Sequence, residues 1–272
     1  MSADDQVLYE VDGHVGTITL NRPDRLNAIS GPMLAQLSKR LLDSERDRNV
    51  RVIVITGAGR GFCAGLDLQD ASSGTGIGGG GDGGGSEPTG GGAELELRSA
   101  PPIVLHEIDT PTICALNGGA AGYGMDLALG CDIRVAGESA KLAAAFTRRG
   151  VLPESGGTWL LPRLLGWSKA AEIIFTGRTL SAKECLDLGL VSSVVPDAGL
   201  GDAVRALADE IAGNAPLAVR ASKRMMRAAM SEEFGNHVHH VFLELLPLFR
   251  SKDFQEGMMS FLEKRPPSFE GR

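Results

Sequence analysis

The sequence contains no run of about 18 apolar residues, the length that a membrane-spanning helix requires. Its acidic opening, MSADDQVLYE, is not followed by the apolar stretch of a secretory signal. These two absences predict a protein of the cytoplasm. The 272 residues are 43% hydrophobic and 22% charged, which is the composition of a globular protein with a sizeable core.

Positive charge and cysteine are also scarce. The formal net charge is -7, so the composition gives no support to nucleic-acid binding. A local basic patch could still hold a phosphorylated ligand in an acidic protein. We expect the cysteines to be small buried thiols in a reducing compartment, because they form no C-x-x-C pair. There are four of them: Cys63, Cys114, Cys131 and Cys185.

The signatures of several enzyme classes are missing. The turn at Gly57 and Gly59 supplies two glycines of a dinucleotide fingerprint, but Phe62 occupies the third position. No Gly-x-Ser-x-Gly nucleophile elbow is present. Residues 74–92 contain 12 glycines in 19 positions without a phosphate-loop lysine, so we expect a mobile surface loop. The histidines at 237–240 have no acidic partner at metal-ligand spacing, and we expect no metal site.

The first half of the chain alternates predicted strands and helices. The Asp12-Gly13 turn joins the first two strands into a hairpin, and Ser30 is placed to cap the first helix. Further helices are predicted at 94–106 and from the small-residue turn 118–124 to Leu129. The order β-β-α-β-α-β-α-β indicates an α/β fold with a mostly parallel sheet. The predicted strands are 7–11, 14–20, 52–55, 112–116 and 132–136.

After Pro153 the pattern is mostly helical. A short strand is predicted at 190–195, and helices are predicted at 155–163, 167–175, 181–188, 199–213, 216–230 and 232–263. We expect residues 1–195 to form the core with the active site. Residues 196–272 would form a helical oligomerisation region.

Two glycine-rich turns follow predicted parallel strands. One is FCAGLDL at 62–68, and the other is NGGAAGYGMD at 117–126, which opens a helix. Small residues leave the main chain bare, so a ligand could approach its amides. The carboxyl ends of parallel strands are where α/β folds place ligands, and amides at a helix N-terminus carry partial positive charge. Together the two turns could hold an oxyanion, whereas each alone would also fit tight packing.

An ordered series of motifs carries a family resemblance over nearly the whole chain. The chain resembles the enoyl-CoA hydratase/isomerase (crotonase) superfamily through these segments: ITLNRP at 18–23 with Asn27-Ala28, FCAGLDL at 62–68, NGGAAGYG at 117–124, CDIR at 131–134, GGT at 156–158 with LPR at 161–163, TGR at 176–178, GLV at 189–191 and FLEKRPP at 261–267.

The resemblance implies a crotonase-like (ClpP/crotonase) spiral of ββα units with a C-terminal helical trimerisation region. It implies a coenzyme A thioester as substrate, no separate cofactor, and a homotrimer or a dimer of trimers. The backbone amides of Leu66 and Tyr123 would form an oxyanion hole, and Ala64 would offer its carbonyl to the adenine. The coenzyme A site would comprise Arg25, Ala28, Ala64, Leu66, Asp67 and Leu68.

The carboxylates at the implied site depart from the family pattern. Asp126 stands where typical hydratases carry their first glutamate, and Phe146 stands at the second position, where it cannot transfer a proton. Glu154 matches a position at which some isomerases carry an acid. We therefore expect Asp126 and Glu154 to be the acid/base pair, which we favour over the alternative that Glu154 is a helix-capping acid before Ser155.

Three functions remain open from the sequence. Hydration or isomerisation of a 2- or 3-enoyl-CoA of fatty-acyl type is the first, and Phe146 favours isomerisation. The second is another reaction of the superfamily, such as thioester hydrolysis or decarboxylation. The third is a coenzyme A-binding protein with degraded catalysis. The acyl chain length and the pathway are not encoded in the motifs.

Overall fold

The computed structural model describes residues 5–67 and 100–272. Leu68, the glycine-rich segment 74–92 and the start of the helix predicted at 94–106 lie outside the described residues. The strands are β1 (Val7–Asp12), β2 (Val15–Leu20), β3 (Val52–Gly57), β4 (Gly61–Cys63), β5 (Thr112–Leu116), β6 (Gly119–Ala121), β7 (Ile133–Gly137), β8 (Lys141–Ala143), β9 (Thr179–Ser181) and β10 (Ser193–Val195). The helices are α1 (Gly31–Arg46), α2 (Pro101–Glu107), α3 (Tyr123–Gly130), α4 (Gly157–Leu165), α5 (Trp167–Thr176), α6 (Ala182–Asp187), α7 (Leu200–Ala212), α8 (Pro216–Ala228), α9 (Phe234–Leu248) and α10 (Lys252–Glu263).

The larger sheet has the strand order β1-β2-β3-β5-β7-β10. Its first two strands form the predicted antiparallel hairpin, whose turn places Gly13 at φ +58°. All other neighbours in this sheet run parallel, which confirms the prediction of a mostly parallel sheet. The prediction that Ser30 caps α1 is also confirmed, because its side chain accepts a hydrogen bond from the Met33 amide.

A second sheet, β4-β6-β8-β9, was not predicted. Its strands are only three residues long, and β6 lies inside the segment 118–124, which the sequence indicated as a turn. Strands of three residues are too short to show an alternating pattern from which to recognise them. Each of β4 and β6 follows a long strand of the first sheet after a sharp turn. The chain therefore builds repeated ββα units, with the two glycine-rich turns side by side.

The helical second half follows the predicted order with one correction. The stretch 232–263 was predicted as one helix, but it forms α9 and α10 with a break at residues 249–251. Ser251 starts the second of these helices by accepting a hydrogen bond from the Phe254 amide. The predicted strand at 190–195 is present over its last three residues as β10.

The helices after β10 differ in how they are covered. Helix α7 packs on one face of the larger sheet through Leu200, Val204 and Ala208. Helix α9, by contrast, has no buried residue in the single chain, and Phe242 is 56% exposed. The division of the chain at residues 195 and 196 stays a prediction. Among the described residues, no helix combines the length and hydropathy needed to cross a membrane.

Candidate active site

The two glycine-rich turns meet because β4 and β6 are neighbours in the smaller sheet. Gly65 of the first turn approaches the second turn closely, at φ +101°. A Cβ atom at this position would lie 2.8 Å from the Ala121 carbonyl oxygen and 3.7 Å from the Tyr123 nitrogen. A side chain is therefore excluded here both by the backbone conformation and by space. This glycine allows the main chain at Leu66 to lie close to the start of α3.

The amides of Leu66 and Tyr123 have no acceptor among the described residues. Ile29 donates its amide to the Gly65 oxygen at 2.8 Å and accepts from the Asp67 amide at 2.9 Å, so the intervening Leu66 amide points away from this bridge. Tyr123 is the first residue of α3, where an amide has no partner within the helix. The structure thus brings together two neighbouring donors that are aimed at no protein group.

Asp126 lies one turn into α3 and is 1% exposed. Its Oδ2 atom accepts hydrogen bonds from the Ser155 amide at 3.2 Å and the Gly157 amide at 3.1 Å. The pKa of this carboxyl is raised from 3.8 to about 7, mainly by burial and in part by the charge of Glu154, while the hydrogen bonds from the Gly157 and Ser155 amides lower it.

Glu154 and Phe146 occupy opposite environments. The Glu154 side chain is exposed in the single chain, and partial desolvation still raises the pKa of its carboxyl. Phe146 is 3% exposed, and its ring lies 3.8 Å from the place a Cβ atom at Gly122 would take. A buried aromatic ring, which cannot exchange protons, therefore sits beside the turn that precedes the Tyr123 amide.

Three buried polar atoms near these groups have no hydrogen-bond partner in the described residues: Tyr123 Oη, Asp126 Oδ1 and Ser155 Oγ. Burial also raises the pKa of the Tyr123 hydroxyl. Electrostatic interactions with Cys63, Glu154 and Asp126 raise this pKa as well. Buried polar groups normally find partners, so these unsatisfied atoms indicate a place for a buried water molecule.

The residues expected to hold coenzyme A differ in their exposure to solvent. Arg25 is exposed, and Ala28 and Ala64 are half-buried. The Ala64 carbonyl accepts no hydrogen bond from any described residue, so it remains open to a donor on a ligand. Asp67, in contrast, is 8% exposed, and its Oδ2 lies 3.0 Å from Arg22 Nη2.

Three residues that position the turns were not singled out from the sequence. Arg22 donates to the Ala28 carbonyl at 2.5 Å as well as pairing with Asp67. Asn27 is fully buried, and Asn117 donates to the Gly57 carbonyl at 2.8 Å. Their place inside the motif segments was a signal, but their long-range contacts become visible only in the fold.

The cysteines and histidines contribute no further reactive centre. All four cysteines are buried and free, as predicted. The sequence indicated no acidic partner of the histidine cluster at metal-ligand spacing; in the structure His237 and His240 both contact Glu232 through Nδ1, at 2.8 and 2.9 Å. In the described part of the chain, no three or more histidine, cysteine or acidic side chains are arranged so that they could hold a metal ion.

Comparison with known proteins decides the family. The family model of enoyl-CoA hydratase/isomerase matches residues 10–272. The chain belongs to the enoyl-CoA hydratase/isomerase family. Family membership identifies it as an enzyme and confirms the crotonase resemblance on which the site residues were chosen.

Relatives of this family member match nearly the whole chain. The 1,2-epoxyphenylacetyl-CoA isomerase of Escherichia coli (strain K12) is 38% identical over 271 residues, covering 98% of each chain. The (E)-benzylidenesuccinyl-CoA hydratase of Thauera aromatica is 35% identical over 269 residues, covering 97% of this chain and 99% of the relative. The family therefore includes both isomerases and hydratases at similar distance from this chain.

Solved structures of the family confirm the crotonase fold. An enoyl-CoA hydratase from Mycobacterium tuberculosis H37Rv superposes with a TM-score of 0.88 at 29% identity, over 99% of this chain and 100% of that one. An enoyl-CoA hydratase subunit from Geobacillus kaustophilus HTA426 has a TM-score of 0.87 at 37% identity, with both chains fully covered.

Proposed function

We propose that this family member isomerises an enoyl-CoA thioester, with Glu154 moving the proton. In this reaction the Glu154 carboxylate takes a proton from C2 of a 3-enoyl-CoA, and electrons move onto the thioester oxygen. The carboxylic acid then returns the proton to C4, which gives the 2-enoyl-CoA and restores the carboxylate. The observation that carries the proposal is an exposed carboxylate, Glu154, close enough to act electrostatically on Tyr123, whose amide has no acceptor among the described residues, with Phe146 in place of a second acid.

The Leu66 and Tyr123 amides would stabilise the enolate oxygen. Both donors are fixed by the backbone, so they need not reorganise as charge develops. Removing one such donor from an oxyanion hole costs about 3 kcal/mol in a hydrolase for which it has been measured. The partial positive charge at the start of α3 adds to the attraction.

The raised pKa of Glu154 suits a proton carrier. A general base works best when its pKa approaches the operating pH, because it must accept and then release the same proton. A carboxyl in contact with an acyl chain would lose more water than it does in the unliganded protein. Substrate binding should therefore raise the Glu154 pKa further.

Hydration is the second candidate. The unpartnered hydroxyls of Tyr123 and Ser155 favour it, because they are groups that could hold a water molecule near Glu154. The relative from Thauera aromatica is named as a hydratase. In this reaction Glu154 would activate the water without a second carboxylate to orient it.

The remaining assignments accompany the proposal. Arg25, Ala28, Ala64, Leu66, Asp67 and Leu68 are proposed to hold the coenzyme A moiety, with Asp67 acting through its pairing with Arg22. Residues 196–272 are proposed to assemble the chain into a trimer or a dimer of trimers, because α9 exposes an apolar surface in the single chain. We propose that the enzyme works in the cytoplasm.

The reaction can be tested by offering the purified protein crotonyl-CoA and a 3-enoyl-CoA in heavy-oxygen water. Mass spectrometry should show conversion of the 3-enoyl-CoA to an unlabelled 2-enoyl-CoA. Heavy oxygen in a 3-hydroxyacyl product would instead establish hydration. Turnover of neither thioester would refute both reactions and favour another chemistry of the superfamily or a protein that only binds coenzyme A.

A further inference from the structure

Asp126 joins the helix of the oxyanion turn to the segment that carries Glu154. Its backbone amide donates to the Gly122 oxygen at 3.1 Å in the first turn of α3. Its side chain reaches across to residues 155 and 157, where Oδ2 accepts from both amides. One carboxylate oxygen therefore fixes the backbone immediately after Glu154 relative to the helix that begins at Tyr123.

The Asp126 carboxyl is enclosed on its other side as well. A Cβ atom built on Gly157 would lie 2.3 Å from Oδ1, so this oxygen rests against the α-carbon of the glycine. The residue is 1% exposed, whereas Glu154 is exposed. A group that transfers a proton must come within hydrogen-bond reach of the reacting atom, about 3 Å, and in the unliganded protein the Asp126 carboxyl is enclosed by protein groups.

We infer that Asp126 is a positioning residue for Glu154 and does not exchange protons with the substrate. This inference rests on the proposed function, in which Glu154 carries the proton, and it divides the roles that the sequence analysis gave jointly to the two acids. Asp126 sets the distance between the proton carrier and the oxyanion amides. Gly157 is part of the same device, since only a residue without a side chain leaves room for the carboxyl.

The two possible roles predict different effects of conservative substitution. The Asp126→Asn variant would keep a side-chain oxygen that accepts from both amides but could not transfer a proton. A positioning role then predicts a loss of turnover of no more than about tenfold, corresponding to about 1.4 kcal/mol in the barrier. Asp126→Ala removes the acceptor, and the resulting displacement of Glu154 should lower kcat by about 100-fold with little change in KM.

The kinetic experiment compares Asp126→Asn, Asp126→Ala and Glu154→Gln on the 3-enoyl-CoA substrate. Gly157→Ala should resemble Asp126→Ala, because its methyl group would displace the carboxyl. Gly201→Ala, on the open surface of α7, is the matched glycine control and should leave kcat unchanged. Equal losses in Asp126→Asn and Glu154→Gln would overturn the inference, since they would show that Asp126 itself needs a titratable proton.

Amide hydrogen exchange tests the same inference without catalysis. In the unliganded proteins, the peptide containing Ser155 and Gly157 should be protected in wild type and in Asp126→Asn, and should exchange faster in Asp126→Ala. Unchanged protection in Asp126→Ala would overturn the positioning role. If wild type turned over no enoyl-CoA while this exchange pattern held, the proposed function would fail and the structural link would stand.

Discussion

Replacing Asp126 with asparagine should make the stability of the protein less dependent on pH. Burial, as the largest cause, raises the pKa of this carboxyl from 3.8 to about 7. In the window between those two values, the folded protein keeps a proton that the unfolded chain has released. The free energy of unfolding therefore decreases as pH rises through the window. The whole decrease is reached above the pKa that Asp126 has in the folded protein. Asparagine resembles the protonated acid and does not titrate.

The magnitude follows from the shift. Each pKa unit corresponds to about 1.4 kcal/mol, so a rise of roughly three units corresponds to about 4 kcal/mol across the whole window. Part of that window lies below about pH 5. Between about pH 5 and about pH 8, the free energy of unfolding of Asp126→Asn should increase relative to wild type by about 2–3 kcal/mol.

Urea denaturation at several pH values measures this difference, with the tryptophans at positions 159 and 167 as fluorescent reporters. Protein concentration must be fixed, because assembly also stabilises the folded chain. Asp187→Asn is a matched control on the surface, where the side chain is 59% exposed, and should change the profile by less than about 0.5 kcal/mol. A difference between Asp126→Asn and wild type that stays constant from about pH 5 to about pH 8 would refute the reasoning.

Further predictions concern the proton carrier and the turns. Glu154→Gln should lower kcat by at least about 100-fold in the isomerase assay without unfolding the protein, and activity close to wild type would exclude it as the proton carrier. Asn27→Ala should lower the free energy of unfolding by about 3 kcal/mol, because the buried Asn27 side chain loses three hydrogen bonds. Asn214→Ala, at an exposed site, is the control for the same denaturation measurement. Gly65→Ala should reduce turnover by about 100-fold, since its methyl group would strike the Ala121 oxygen and move the Leu66 amide, and a fully active variant would contradict the proposed oxyanion hole.

The larger sheet could be predicted because its strands and the helix α1 have characteristic local sequence patterns. The run Val52, Ile53, Val54 and Ile55 is apolar on both faces, and every one of these residues is buried between helices. Ser30 is an N-cap residue that directly precedes an amphipathic helix, and this pattern also depends only on nearby residues. Hydrophobic periodicity and capping therefore specified the elements of the first half of the chain.

The smaller sheet carries a weak local signal, whereas the helix break carries a local signal that the prediction did not use. Strand β6 consists of glycine and two alanines, whose side chains are too small to show alternation. Tertiary packing, and not local propensity, therefore determines where this strand begins and ends. The break between α9 and α10 follows Pro247, which disfavours a continuing helix, and Ser251 then caps the next helix.

The sequence predicted that two glycine-rich turns form the candidate site, but it did not predict how the side chains around them are arranged. The glycines marked Leu66 and Tyr123 as residues with accessible backbone amides. The sequence could not show that Asp126 is enclosed by Gly157, because these residues are 31 positions apart and meet only through the fold. From the sequence, Asp126 and Glu154 appeared equivalent. In the structure they differ in burial, because Asp126 is enclosed and Glu154 is exposed.

The absence of any side chain from the proposed oxyanion hole affects how this enzyme could diversify. The donors at positions 66 and 123 belong to the main chain, so nineteen of the twenty common amino acids would supply them, and proline alone would not. The side chains at the same positions can then be exchanged to reshape the space around the acyl group. Substrate preference could change at these two positions over evolutionary time while the groups that stabilise charge are inherited unchanged.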